Sequence, residues 1–356
     1  MDLTLSLIQR TCAAIPSLDD DAAAAVQRRL DAKTKPRKSL GRLEELARTL
    51  AAIQSTEAPS VDGKAVVVMA ADHGVAEEGV SAYPQEVTAQ MVANLVAGGA
   101  GINVLALHAG ARVVLVDLGV KSPLPGLVGV LDRRIAPGTR NLARGPAMTR
   151  DEAVRCLEVG IEVAEDLAGA GIQAIALGEV GIGNTTAASA LASAFTGEPP
   201  ERTTGRGTGL DDTGYQRKIE VVERALRVNR FDPSDPLGTL AALGGFEIAG
   251  LAGVVLGAAA RRVAVVMDGF IAGAAALGAV RLAPQAAGFV IASHSSVEPG
   301  HTALLRALDK RPLLDLELRL GEGTGAALAF HLLEAAVRVL REMASFAEAG
   351  VSDSGR

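Results

Sequence analysis

At 356 residues the chain exceeds the usual span of one domain, and 49% apolar residues supply an ample core. Aromatics at 3%, no Trp and 40 Gly mean that this core is built from Ala, Val, Leu and Ile, which pack helices closely on a sheet. A formal charge of −6 with mixed signs leaves no basic patch for nucleic acid, and two cysteines without metal spacing fit a reducing cytoplasm.

The first predicted elements are helices over 2–14 and 19–31, with Pro16 and Ser17 between them and Ser17 as the cap of the second. The start of the chain lacks the basic residues and long apolar run of a signal peptide. Lys35–Pro36–Arg37–Lys38–Ser39–Leu40–Gly41 is a basic turn, read on its own as a solvated loop. Leu43, Leu46, Ala47 and Leu50 then recur at helical spacing over 42–54. Residues 56–63 form a linker.

Residues 66–70 read as a buried strand ending at Ala71–Asp72–His73–Gly74–Val75. Polar turns at the C-terminal ends of parallel strands are where open α/β sheets bind ligands. Asp72 and His73 fit that reading and a structural turn equally. Residues 86–90 lead into one helix reaching about residue 107. Tyr83, one of two tyrosines, could cover an aromatic ligand, though packing is the plainer role for it. A second strand over 113–116 ends at Asp117, read as fixing its own turn. Residues 121–140 are irregular, punctuated by Pro123, Pro125 and Pro137. A helix runs from 149 to about 167, and Thr149 with Glu152 forms a capping-box pattern.

The strand over 172–177 runs into Gly178–Glu179–Val180–Gly181–Ile182–Gly183–Asn184–Thr185–Thr186 and then an alanine-rich helix. Strand, glycine turn and helix start point backbone N–H groups at an anion. Asn184, Thr185 and Thr186 can cap that helix or bond a phosphate. Glu179 would repel a phosphate, so an acid there serves sugar hydroxyls or a proton instead. On the glycine pattern alone a plain capped turn fits as well.

Gly205–Arg206–Gly207–Thr208–Gly209 is a second glycine loop, either a phosphate or sugar site or a flexible connector. The helix after it, over 213–228, carries Lys218, which by itself would pass for a solvated residue. Residues 240–260 are apolar and small, with Glu247 their only charge before Arg261. The span 248–260 is too short to cross a bilayer, and Asp268 and Gly269 interrupt 263–280. A strand over 263–267 ends at Asp268–Gly269–Phe270, and another over 288–292 runs into Ser293 and His294. His294, Glu298 and His301 invite a metal, but Pro299 and Gly300 break helical spacing, so a hydrogen-bonded loop is the preferred reading. Glu322 lies between glycines in Gly321–Glu322–Gly323–Thr324–Gly325, ahead of a last helix over 326–343.

Repeated strand–turn–helix units predict an α/β fold: a doubly wound, mostly parallel sheet. No G-x-G-x-x-G fingerprint or P-loop appears, which argues against a dinucleotide dehydrogenase and a P-loop kinase. The acids Asp72, Asp117, Glu179, Asp268 and Glu322 all stand in turns able to converge on one cleft.

Lys35–Pro36, Ser39–Leu40–Gly41, the 71–75 turn, the 178–186 and 205–209 loops, Asp268–Gly269–Phe270, Ser293–His294 and the 321–325 turn together carry a resemblance. In order, over nearly the whole chain, they resemble the nicotinate-nucleotide–dimethylbenzimidazole phosphoribosyltransferase family of cobalamin lower-ligand assembly. Lys38 departs from it, standing where the family usually has glycine. The resemblance implies transfer of phosphoribose from nicotinate mononucleotide to a benzimidazole nitrogen. It puts the general base on Glu322, a second acid on Glu179 and the phosphate loop on Gly181, Gly183, Asn184, Thr185 and Thr186. An active-site lysine falls on Lys218, and Ser81, Tyr83 and Gln90 fall in the base pocket. Asp268, Gly321 and Gly323 join the substrate-binding set. It further implies a homodimer and no redox cofactor, and the departing ring needs no charge stabilisation from a metal. A small helical domain would form from 1–60 and 326–356, beside a large domain over 61–325.

The chemistry suits these residues. A pyridinium ring leaves as neutral pyridine and needs no general acid, whereas the incoming benzimidazole must lose its N–H proton to a base. Carboxylates near the anomeric carbon favour the positive charge that develops there, and Ala/Leu-rich walls can form a flat apolar slot. A non-catalytic nucleotide-binding protein would need no such base. A purely structural protein would not need the polar turns.

Overall fold

Runs of small and β-branched apolar residues become the strands, and all eight residues of β1 (Lys64–Ala71) and all seven of β4 (Ala174–Val180) are buried. The computed structural model describes residues 6–124 and 126–352. With β2 (Arg112–Gly119), β3 (Val130–Asp132), β5 (Ala264–Met267) and β6 (Val290–Ala292), these strands form one sheet in the order β3-β2-β1-β4-β5-β6. Every pairing is parallel. The strand order reverses between β1 and β4, which makes the crevice beyond their C-terminal ends the expected ligand site.

The helices are α1 (Leu7–Ala14), α2 (Asp20–Asp31), α3 (Arg42–Gln54), α4 (Val87–Val96), α5 (Gly101–His108), α6 (Arg150–Gly169), α7 (Asn184–Thr196) and α8 (Pro200–Thr203). They continue with α9 (Asp212–Asn229), α10 (Pro236–Leu243), α11 (Phe246–Ala260), α12 (Phe270–Leu282), α13 (Pro299–Ala307), α14 (Thr324–Glu342) and α15 (Phe346–Ala349). Both faces of the sheet are covered. A Cβ at Gly250 of α11 would lie 2.5 Å from Met69 Sδ, and one at Gly323, just before α14, would lie 2.8 Å from Val66 Cγ1. Met69 and Val66 are three residues apart on β1, so they point to opposite faces. The sheet is therefore doubly wound, as its sequence predicts.

Small residues set the helix spacing. A Cβ at Gly160 of α6 would sit 1.9 Å from the Gly250 carbonyl oxygen, and one at Gly253 would sit 2.1 Å from that of Leu157. The near-absence of bulky aromatics thus becomes a tight α6–α11 crossing. From the two chain ends, α2, α3 and α14 pack on one another, and Lys33 bridges to Ser345.

Four local expectations change. Asp19, not Ser17, caps α2, accepting from Ala22 N at 2.9 Å. The first helix begins, among the described residues, at Leu7. The single helix expected up to residue 107 is two, α4 and α5, because the chain turns at Gly98 (φ 81°) and Gly99. The irregular 121–140 stretch contains β3, a three-residue edge strand paired only with β2; Pro125 lies outside the described residues.

Lys38 keeps a left-handed backbone, φ 61°, so lysine occupies a conformation that glycine enters freely. Lys38→Gly is therefore expected to leave stability unchanged or raise it by up to ~1 kcal/mol, against the usual loss of that size where φ is negative. A fall in the denaturation midpoint would overturn this.

Candidate active site

The site begins where β4 ends. Glu179 is its penultimate residue, and Gly183 (φ 99°) turns the chain into α7. No side chain caps α7, so of the two uses open to Asn184, Thr185 and Thr186 capping is not taken up. Those side chains serve the site instead. Asn184 Nδ2 donates to Glu179 Oε2, Thr185 Oγ1 accepts from Lys218 Nζ at 2.7 Å, and Thr186 Oγ1 is buried without a partner. An uncapped helix N-terminus beside a fully buried ammonium has the electrostatics that suit an anion. Ile182 N donates to Thr88 Oγ1 at 3.0 Å, which pins the loop to α4.

The opposite wall is the turn before α14, where Gly321, Glu322 and Gly323 all have positive φ, 84°, 60° and 88°. Glycines let it touch β4. A Cβ at Gly321 would lie 2.3 Å from Glu179 Oε1, and one at Gly178 would lie 2.4 Å from the Glu322 carbonyl oxygen. The two buried carboxylates are thereby brought to one place. Glu322 Oε2 accepts from Ile102 N at 3.2 Å, at the start of α5. Asp268 stands behind the turn: its two oxygens accept from Gly323 N at 3.3 Å and Ala326 N at 3.0 Å. It anchors the segment that presents Glu322.

Burial raises all three acids. Glu179 is pushed well above the ordinary carboxylate range by burial, then by the charges of Glu247 and Asp268, against the Asn184 hydrogen bond. Asp268 is raised to about 7 by burial, offset by its backbone donors. Burial also raises Glu322, with Ile102 N–H opposing. Glu179 thus keeps its proton when folded at pH values where the unfolded chain has lost it, so its contribution to stability falls as pH rises from the ordinary carboxylate range through the raised value. Glu179→Gln removes that penalty. We expect its melting temperature to exceed the parent's at pH 8 by ~1–2 °C, the shift made by about 1 kcal/mol in a chain of 356 residues, and the gap to close near pH 4. A gap constant across that range would refute the assignment.

Two further residues form a pair that the separate strand-end and helix readings did not connect. His73 Nε2 and Glu247 Oε1 are 2.6 Å apart and fully buried. The ring backs the 181–183 turn, since a Cβ at Gly183 would lie 3.1 Å from His73 Cβ. The signal was in the sequence, because a lone charge in an apolar helix requires a buried partner. Asp72 takes the structural role, accepting from Lys121 N at 2.8 Å, and Asp117 fixes its own turn through Gly119 N and Val120 N.

The base-pocket residues are only partly gathered. Ser81 Oγ lies 3.3 Å from Thr208 Oγ1, and Ala82 N donates to that hydroxyl at 2.9 Å, so the 81–83 segment is tied to the second glycine loop. Tyr83 is 56% exposed, which overturns packing as its role and leaves its ring open to a ligand. Gln90 is exposed on α4. His294, Glu298 and His301 bond separately: His301 Nδ1 accepts from Ser296 N, Glu298 Oε1 accepts from Gly207 N, and His294 Nδ1 meets Ser293 Oγ. Among the described residues no three potential metal ligands cluster. A cavity of ≈ 890 Å³ lies across Gly74. Its Arg140, Arg144 and Arg150 already pair with Glu152, with Glu77 and Glu78, and with Asp235, which leaves them poorly placed to receive a substrate anion.

A family model described as phosphoribosyltransferase matches residues 15–351. The chain belongs to this phosphoribosyltransferase family. It is 56% identical over 349 residues to a nicotinate-nucleotide–dimethylbenzimidazole phosphoribosyltransferase from Chloroflexus aggregans, covering 98% of this chain and 99% of that protein. A protein of the same name from Geobacter metallireducens is 54% identical over 352 residues, 99% of each chain. The crystal structure of CobT from Thermus thermophilus superposes with a TM-score of 0.90 at 50% identity, covering 94% of this chain and all of the other. The phosphoribosyltransferase fold is thus shared from end to end, with the glycine turns and both acids inside the matched span.

Proposed function

We propose that this chain transfers phosphoribose from nicotinate mononucleotide to 5,6-dimethylbenzimidazole, giving α-ribazole 5'-phosphate and nicotinate, in cobalamin lower-ligand assembly. The observation that carries the reading is the meeting of Glu322 and Glu179 beside the uncapped start of α7 and Lys218. The phosphate sits at that helix start, against Gly181, Gly183, Thr185, Thr186 and Lys218. The bond from the anomeric carbon to the pyridinium nitrogen breaks, and its electron pair neutralises the departing ring. One benzimidazole nitrogen forms the new bond, and the proton of the other passes to Glu322. Glu179, neutral and braced by Asn184, faces the sugar. No step calls for a metal or a redox cofactor.

A non-catalytic nucleotide-binding protein would have no use for a buried acid held in a left-handed turn. The test is incubation with both substrates: nicotinate and the riboside phosphate should appear in equal amounts, and omission of the benzimidazole should stop both. Absence of product would leave only the binding reading.

The working enzyme is read as a cytoplasmic homodimer. Val87–His108 has a mean hydropathy of 1.5 yet is only 28% buried. Its helices, of ten and eight residues, are each far shorter than the ~20 residues that span a bilayer. Val104 and Leu107, 63% and 82% exposed, form an apolar face on the helix that holds Glu322, and a second copy is its natural cover. The chain-end helices are read as a small domain, 1–60 and 326–356, against a large one over 61–325.

A further inference from the structure

We propose that Glu298 is a positioning residue of the nucleotide-phosphate site, clamping the 205–209 loop in place and acting as the counter-ion of Lys218. The proposal rests on the phosphate role given to Lys218 above. Glu298 occupies the cap position of α13, but its side chain makes no capping bond. Its carboxylate turns away to the second glycine loop: Oε1 accepts from Gly207 N at 3.0 Å, while Oε2 is buried without a partner.

The loop lies between the acid and the lysine. A Cβ at Gly205 would fall 1.9 Å from Glu298 Oε2. One at Gly207 (φ 52°) would fall 2.8 Å from Thr185 Oγ1 and 2.9 Å from Lys218 Nζ. Glycine is required at both places because the acid presses on one side of the loop and the ammonium on the other.

Lys218 needs such a neighbour. It is fully buried, and of its three donors the only bond among the described residues is to Thr185 Oγ1. Burial lowers its pKa to about 8, and Glu298 is the charge that holds it up against a further fall. The other groups on the surrounding elements do not supply that charge. Thr185 of α7 does not titrate, Arg206 of the loop turns outward to Asp212, and His301 of α13 is kept neutral by burial, its pKa lowered to about 3. No direct ion pair joins Glu298 to Lys218, so the unused donors of the ammonium stay available to an anion.

The test separates a charge role from a clamp alone. Glu298→Gln keeps an oxygen for Gly207 N and loses the charge; Glu298→Asp keeps the charge on a shorter arm. Nicotinate mononucleotide affinity is measured by calorimetry across the alkaline range for the parent, both variants and Lys218→Met, with kcat and KM alongside. We expect the parent affinity to fall above about pH 8 as Lys218 loses its proton. In Glu298→Gln that midpoint should drop by about one pH unit, a roughly tenfold loss of affinity on the alkaline limb. Near pH 6 its affinity should match the parent's, and kcat should change little at saturating nucleotide. Glu298→Asp should restore most of the midpoint. A Glu298→Gln midpoint equal to the parent's overturns the counter-ion role, and an Asp variant no better than Gln does the same. Affinity that Lys218→Met leaves unchanged overturns the phosphate reading on which the proposal rests.

Discussion

Glu322→Gln lowers kcat by ~100- to 10,000-fold, the span that a positioned general base contributes, while nicotinate mononucleotide affinity stays near the parent value. The amide preserves the local geometry: its oxygen still accepts from Ile102 N, and its shape still fits the left-handed turn between Gly321 and Gly323. Only the basic electron pair is lost. Burial raises the Glu322 pKa, bringing it nearer the working pH than an ordinary glutamate, which strengthens it as a base. The parent's kcat should accordingly fall as pH drops through that raised value, and the acid limb should vanish in the variant. Glu179→Gln should cost less, because burial and its acidic neighbours raise Glu179 and tighten its hold on its proton. The double variant should be slowest. A Glu322→Gln enzyme within a few-fold of the parent would move the base to Glu179 or to solvent.

The layout of this site was legible to the extent that it is local. Strand ends, glycine turns and the Thr149–Glu152 capping box each lie within a few residues, and the box is present with Thr149 N donating to Glu152 at 2.6 Å. What escaped depends on partners far along the chain. Ile102 holds Glu322 across 220 residues, and Glu298 reaches Gly207 across 91. Neither leaves a period or a motif. Asn184 was open locally to a cap or a phosphate bond, and its partner Glu179 shows only in the folded sheet. Likewise β3 is defined by its neighbour β2, since three residues carry too little pattern to announce a strand. Lys38 is the reverse case. Its departure from glycine marked the turn in the sequence, and the backbone retained the conformation that glycine would adopt.

Lys218→Met is expected to weaken nicotinate mononucleotide binding by ~30- to 5,000-fold, the 2–5 kcal/mol that follows loss of one partner of a buried charge pair. The parent ammonium is fully buried with one bond among the described residues, and on the proposed reading a bound phosphate completes its coordination. Methionine has similar length and no donor, and it leaves the helix start of α7 as the remaining attraction. The same substitution should not destabilise the free protein. Burial depresses the Lys218 pKa to about 8 when folded, below its value in the unfolded chain. The folded state therefore carries a penalty that is complete below about pH 8 and fades as pH rises towards the unfolded value near 10.4. Methionine has no such penalty, so its melting temperature should match or exceed the parent's at pH 7, and the advantage should shrink by pH 10. Thr185 loses its donor and Glu298 its counter-charge in the variant, which limits the gain. Calorimetric binding and melting curves at both pH values decide the matter together. Affinity within a few-fold of the parent, in a variant that melts normally, would take the phosphate away from Lys218.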